Sequence, residues 1–527
     1  MTLSSDIESL LNQRYYQPEE TWEQLVNRVV EHVCKDEPTS FKNAMYQQIR
    51  DRIWLPNSPC LVNAGLSNSG LMACFVVGPD EDTLEHHVGV LGDIASVGKR
   101  GGGAGFSGAN IRAKGSPVAG SAHGYAYGPN NWAMRVSDYL EMITQGGFRS
   151  MALMYSLPAD HKDVMEFINL KHNGNEKYAH NFNQSVFISD DFMRKATSGE
   201  WTHEADVLGA VADGAYDNGE PGLLFDTRIN EDSPYATCDC DDIKTTNPCG
   251  EVPMPSYGSC NLGSININHD VFYSDGAFDF TLLDGYVTGI TRFLDDVGDA
   301  NVFPNEKFKD WYSKHRPVGI GIMGFADALL RLGFAYGEEE SLNFISNIME
   351  VIQGSSYRAS TQLGIERGVP EHCRAVNRRN ITTVSIAPTG SIGFIAGCSH
   401  GIEPTFSPKF RRTDERGDTY IFEHPLRNEP HFRSALNEDR DKIPSWRQHI
   451  DIQAAAQKYV DQGVSKTVNM LNGIAREEVH AALVYAWESG CKGITIYRDG
   501  SRNVQVLDDI TEEDSLLQDC PSGVCSL

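Results

Sequence analysis

Long hydrophobic runs are missing from this 527-residue sequence. The longest apolar stretches, such as LMACFVV at residues 71–77, fall far short of the roughly 20 residues that a membrane-spanning helix needs. The opening residues, MTLSSDIESLLNQRYY, carry two acids and no apolar segment, so they do not read as a signal peptide. Basic residues are scarce as well: 45 Lys and Arg stand against 72 Asp and Glu, a net charge of −27. Such a field repels a nucleic-acid backbone and an anionic lipid surface, which sets aside nucleic acid and membrane as partners. Small nucleotides stay open, because local donors and loop amides hold those. No CxxC pair occurs, which argues against a zinc ribbon. Cys238-Asp239-Cys240 is a tight pair, but no second ligand pair lies near it in the chain, so no metal site is expected. The sequence reads as a soluble, cytoplasmic protein.

Its composition, 40% hydrophobic and 22% charged, supports at least one large core. Twelve cysteines suit a reducing compartment, where thiols are buried or catalytic. Cys74, Cys249, Cys260 and Cys491 sit beside turn-rich polar segments, and Cys520 and Cys525 fall in the last eight residues. Residues 1–55 read as helical, with Trp22, Leu25, Val26, Val29 and Val30 at helical spacing. LPNSPCLVNAG, residues 55–65, breaks that pattern as a loop. Short apolar strands then alternate with helices: LMACFVVG before EDTLEHHVGVLGDIASVGK, QSVFIS before a helix from about Asp190, TTVSIA before IGFIAG, and finally GITIYR. That alternation predicts parallel β/α units. Residues 507–519 hold six acids and no base, and read as an exposed linker to CPSGVCSL. The chain therefore divides into a helical region (1–70), an α/β domain (71–505) and an acidic tail (506–527).

Gly103-Ala-Gly105-Phe-Ser-Gly108 matches the dinucleotide fingerprint GxGxxG. A helix-like segment precedes it where a strand is required, and no acid occurs between Arg112 and Ser137, so a Rossmann site is set aside. The glycines still let backbone approach a nucleotide or sugar closely. The stronger signal is TTNPCGEVPMPSYGSCNLGSININ, residues 245–268. Asn247, Cys249 and Glu251 alternate, so an extended segment would present an amide, a thiol and a carboxylate on one face. Pro248, Gly250, Pro253 and Pro255 argue against a central strand. A thiol beside a carboxylate makes a poor thiolate and is better suited to losing a whole hydrogen atom.

From here the sequence resembles the catalytic subunits of ribonucleotide reductases, in motif order along nearly the whole chain. NPCGE resembles their finger loop, which implies Cys249 as thiyl radical residue and Asn247 with Glu251 on the ribose hydroxyls. GSCNLGSIN and LMACFVV supply Cys260 and Cys74, implied to be the dithiol that reduces the substrate. SIAPTGSIGFIAG (385–397) resembles the phosphate loop, with Pro388, Thr389, Gly390 and Ser391 before a helix. LPNSPCLVNAG would set Ser58 near the substrate, and Gly103 would lie there too. IRAKGSPVAGSAHG and TQGGFRSMAL resemble loops that sense a dNTP or ATP effector, implicating Asp82, Arg112, Lys114, Gly147 and Arg149. CPSGVC implies that Cys520 and Cys525 swing in to re-reduce the dithiol, and are themselves reduced by a thioredoxin- or glutaredoxin-like protein.

Members that take their radical from a dimetal partner subunit carry adjacent tyrosines where this chain has Thr495 and Ile496. KGITIYRDGSR (492–502) resembles the adenosylcobalamin-dependent members instead; the alternative is a class I subunit fed by a radical-generating small subunit. The resemblance implies a ten-stranded α/β barrel of two parallel five-stranded halves around a central finger loop, in a homodimer that reduces ribonucleotides, with diphosphates favoured. Since LPNSPCLVNAG begins by residue 55, no N-terminal ATP-binding activity domain is expected.

Overall fold

The computed structural model describes residues 4–67, 70–120, 123–140, 144–145, 149–172, 182–238, 240, 242–413, 419–501 and 507–509. Gly147, Cys520 and Cys525 lie outside the described residues, and for Arg149 only the backbone is described.

Three helices open the chain: α1 Ser5–Arg14, α2 Trp22–Val33 and α3 Thr39–Arg50. A reciprocal box starts α2, in which Thr21 accepts from the Gln24 amide and Gln24 accepts from the Thr21 amide. The positions picked out by spacing, Trp22, Leu25, Val26, Val29 and Val30, are all buried. They join one hydrophobic core with Ile265, Phe293 and Ile320 from the α/β region, so the helices pack directly on it. Part of the expected loop at 55–65 is a short helix, α4 Ser58–Asn63. Pro59 at its start costs no hydrogen bond, and Asn57 caps the Cys60 amide at 3.0 Å.

Ten strands form the main sheet: β1 Trp54–Pro56, β2 Cys74–Val76, β3 Gly103–Ser107, β4 Leu153–Pro158, β5 Phe182–Ile188, β6 Gly222–Phe225, β7 Ser259–Asn266, β8 Val318–Met323, β9 Thr467–Met470 and β10 Gly493–Arg498. Strands β2 to β6 are parallel neighbours in chain order, the outcome expected of β/α units. Antiparallel contacts join this half to the rest on both flanks, β2 with β7 and β6 with β10. Beyond them β8 runs parallel to β7, and β9 parallel to β10.

The TTVSIA segment, expected as a strand, forms no continuous ladder. It lies between β8 and residues 462–465, joined by two isolated parallel bridges, Ile320 to Val384 and Ile386 to Val464, and by backbone bonds to both sides. Its backbone is diverted: Asp461 accepts from the amides of both Thr383 and Val384. An antiparallel strand outside the expected plan, β1, also pairs with β7. The sheet is ten-stranded: β2 to β6 make one parallel half of five, while β1 joins the other strands antiparallel, so among the described residues the second half is not a continuous parallel five. The acidic segment after 506, expected as an open linker, begins with a strand, Leu507–Asp509, in register with the basic strand Lys409–Thr413. Among the described residues no helix is long and apolar enough to cross a membrane.

Candidate active site

The loop between residues 245 and 258 is a tight reversal, not the extended segment that the alternation suggested. Thr246 bridges Pro253, the Asn247 amide donates to Val252 O at 3.2 Å, and Gly250 N donates to Asn247 O at 3.1 Å. Gly250 sits at φ +83°, a conformation that side-chain-bearing residues rarely adopt. The turn separates the three polar residues. Asn247 and Glu251 are each 2% exposed, while Cys249 is exposed at the tip.

Neighbouring segments pin this loop. Asn183 Nδ2 donates to Pro248 O at 2.9 Å, Ser385 Oγ to Glu251 O at 3.0 Å, and Gly463 N to Glu251 O at 2.7 Å. Small residues let it pass. A Cβ on Gly105 would overlap the Thr246 carbonyl, and one on Gly103 would lie 2.8 Å from Pro248 Cγ. The first two GxGxxG glycines, Gly103 and Gly105, therefore make room for the loop against β3.

Cys74 stands directly opposite Cys260 in the β2–β7 register, a placement that brings facing Cβ atoms to about 5 Å. Asn247 Nδ2 donates to Cys74 Sγ at 3.2 Å, its orientation fixed because Asn247 Oδ1 accepts from the Val252 amide at 2.9 Å. Cys74 Sγ faces Glu251 Oε1 at 3.9 Å. The other carboxylate oxygen, Oε2, is buried with no hydrogen-bond partner. Burial pushes the Glu251 carboxyl up to about 7, against the opposing pull of Asn247. Burial also raises the Cys74 thiol well above its ordinary value, with Glu251, Cys260 and Cys249 adding to the rise. The Cys260 thiol is pushed up to about 12 by burial, which the hydrogen bond from Gln462 partly offsets. Both thiols therefore stay protonated at neutral pH and can give up hydrogen. Cys249 opens on a cavity of about 1240 Å³ whose walls include Asn183, Ser185, Leu224, Thr495 and Tyr497.

The remaining predicted residues are arranged less tightly. Ser58 pairs with Tyr15 Oη at 2.8 Å. Thr389, at φ +52°, precedes the short helix Gly390–Ala396 without capping it, because its hydroxyl accepts from the Gly401 amide at 2.7 Å. Neither Ser58 nor residues 388–391 are on the cavity wall. Arg112 is held by Asp82 through an ion pair and a backbone bond. Lys114 binds Glu166 at 3.0 Å instead, and Arg149 belongs to the hairpin of Thr144–Gln145 with Arg149–Ser150.

Two groups escaped the sequence reading. Gln462, whose Nε2 lies 3.6 Å from Cys260 Sγ, belongs to Asp461-Gln462-Gly463, a polar run inside apolar surroundings that could have flagged it. The Cys238/Cys240 pair does have further ligand-type side chains beside it: folding brings His315 and His372 against Cys240, 75 and 132 residues away in sequence. Local spacing carried no trace of that.

The family model for the ribonucleotide reductase barrel domain matches residues 72–207, 201–378, 369–443 and 423–497. The chain belongs to the ribonucleotide reductase barrel family. It is 38% identical over 505 residues to the vitamin B12-dependent ribonucleoside-diphosphate reductase of Thermoplasma acidophilum, covering 86% of this chain and 64% of that protein. Against the enzyme of the same name from Mycobacterium tuberculosis, identity is 34% over 519 residues, covering 89% of this chain and 74% of the relative. The class Id ribonucleotide reductase alpha subunit of Actinobacillus ureae shares the fold with a TM-score of 0.79 at 20% identity, over 94% of this chain and 97% of that one.

Proposed function

We propose that this chain reduces ribonucleoside diphosphates to 2′-deoxyribonucleotides, starting from a radical on Cys249. The observation that carries the reading is the register of Cys74 opposite Cys260, with Asn247 and Glu251 on the Cys74 sulfur and Cys249 at the tip of the same loop. The names of the Thermoplasma and Mycobacterium relatives supply the diphosphate substrate and the vitamin B12 dependence. A cysteine radical requires a one-electron oxidant, which adenosylcobalamin supplies when bound, through homolysis of its cobalt–carbon bond. The cavity beside Cys249, at about 1240 Å³, exceeds the roughly 300–1,000 Å³ of a pocket for one drug-sized ligand. Thr495 and Ile496, neither able to relay an electron, are on its wall.

Cys249 removes the 3′-hydrogen atom. Glu251, with one oxygen unpartnered and a carboxyl near 7, takes the 3′-hydroxyl proton as general base. Asn247 orients the ribose from the same loop. The 2′-hydroxyl leaves as water with a proton from the Cys74/Cys260 pair. The second thiol hydrogen goes to C2′, the pair's two electrons go to the sugar as the sulfurs join, and Glu251 returns its proton to the 3′-oxygen. Cys249 then returns its hydrogen to C3′. In sum, a ribonucleotide and a dithiol become a deoxyribonucleotide, water and a disulfide.

The resemblance assigns substrate contacts to Ser58, Gly103 and the 388–391 loop, none of which lines the cavity beside Cys249. Asp82, Arg112, Lys114, Gly147 and Arg149 read an effector nucleotide across a homodimer. Cys520 and Cys525 reopen the internal disulfide and are reduced in turn by a thioredoxin- or glutaredoxin-like protein in the cytoplasm. The test is to supply the purified chain with adenosylcobalamin, a ribonucleoside diphosphate and a small dithiol. Deoxynucleotide should form without a second protein; a strict need for a partner subunit, or turnover of triphosphates alone, would overturn the respective part.

A further inference from the structure

A second cysteine pair lies outside the reductive site. Cys238 and Cys240 follow the short turn Pro234–Thr237, His315 ends the helix Glu306–His315, and His372 sits in the turn Glu371–Cys373. One ligand atom from each of the four lies within 4.8 Å of all the others. Cys240 Sγ is 3.3 Å from His315 Nε2 and 3.5 Å from His372 Nδ1, and those two nitrogens are 3.0 Å apart. A tetrahedron with Zn–N near 2.0 Å and Zn–S near 2.3 Å has N···N edges of about 3.3 Å and S···N edges of about 3.5 Å. The observed spacings are close to those edges. A hydrogen bond between two imidazoles would account for the nitrogen pair, but not for a sulfur within reach of both. The Trp311 carbonyl, 2.7 Å from His315 Nδ1, fixes that ring so that Nε2 presents its lone pair to the cluster.

We infer that Cys238, Cys240, His315 and His372 form a structural zinc site. Two sulfurs and two imidazoles select zinc over harder cations, and four protein ligands leave no open position for chemistry. Cys238 and Cys240 are joined as a disulfide here, with Cα atoms 5.4 Å apart. A dithiol opens that bond by exchange and becomes a disulfide itself. The two freed thiols then release two protons as they bind Zn²⁺. The metal ties together the approach to the finger loop, the end of a helix just before β8, and the turn holding Cys373. Cys373 bonds the His315 carbonyl at 3.1 Å and shares a hydrophobic cluster with Cys74 and Cys260.

The full chain, purified anaerobically with a dithiol from zinc-supplemented cells, should carry about one zinc ion per chain by elemental analysis. Cobalt replacement should give the visible bands of a tetrahedral ion and a thiolate-to-cobalt charge-transfer band. Cys240→Ser should lose the metal and melt at lower temperature. Should that variant fail to fold, His372→Asn, at a half-buried ring, reads the same loss with less disturbance. A reduced chain that stays metal-free and refuses cobalt would overturn the assignment, as would zinc retained by His372→Asn together with Cys238→Ser. A Cys238–Cys240 disulfide that survives the reductant would also overturn it.

Discussion

Cys74 with Cys260 and Cys238 with Cys240 meet around one hydrophobic cluster, the first pair within it and Cys238 packed against its edge. Their company differs. Burial first, and the facing carboxylate second, keep the interior pair protonated and ready to give up hydrogen, against the pull of two amide donors. The outer pair faces two imidazoles, each with a ring nitrogen within 4.8 Å of both sulfurs. Burial alone does not assign a cysteine its chemistry; the neighbour's charge and lone pairs do.

Changes at the interior site should have the largest effect. Cys249→Ser or Cys260→Ser should abolish multiple turnover while nucleotide binding persists, measured by product formation and by calorimetry. Residual steady turnover in Cys249→Ser would remove that residue from its role. Next is Gly105→Ala, whose new methyl group collides with the Thr246 carbonyl and displaces the finger loop. The variant should keep its circular dichroism spectrum and lose nearly all activity.

Glu251→Gln should lower kcat by about 10²- to 10⁴-fold, the usual worth of a positioned base. In the parent enzyme kcat/KM should rise with pH through about 7, where Glu251 ionises, and that limb should be absent from the variant. Stability should move the other way. With its folded value raised from 4.5 to about 7, the carboxyl binds protons better folded than unfolded, so its ionisation costs stability as pH climbs through that window. At pH 8, Glu251→Gln should be more stable by roughly 1 to 3 kcal/mol in denaturant titrations; equal stability at pH 5 and pH 8 relative to the parent would contradict the buried-base reading.

The elements legible in the sequence were those set by local pattern. Residues 22–30 announced a helix, and the β2 to β6 run announced parallel β/α units. The finger loop was legible as a motif but not as a shape, because Gly250 at positive φ turns Cys249 away from Asn247 and Glu251. Residues 382–386 look like a strand in composition, yet Asp461 captures two of their amides, an interaction no local window contains. The histidines beside Cys240 were hidden for the same reason.

The smallest effect should come from Gln462→Leu. It removes the amide donor to Cys260 and to Val318 O and should cost about 1–3 kcal/mol of stability with only a few-fold loss of kcat.

The central claim, that the facing Cys74 and Cys260 sulfurs deliver the reducing electrons, is tested most directly in one turnover. A pre-reduced Cys520→Ser, Cys525→Ser chain, freed of dithiol and given substrate with adenosylcobalamin, should form about one product per site and then stop. Peptide mapping should then find a new Cys74–Cys260 disulfide. Product formed with both of those thiols still reduced would contradict the account.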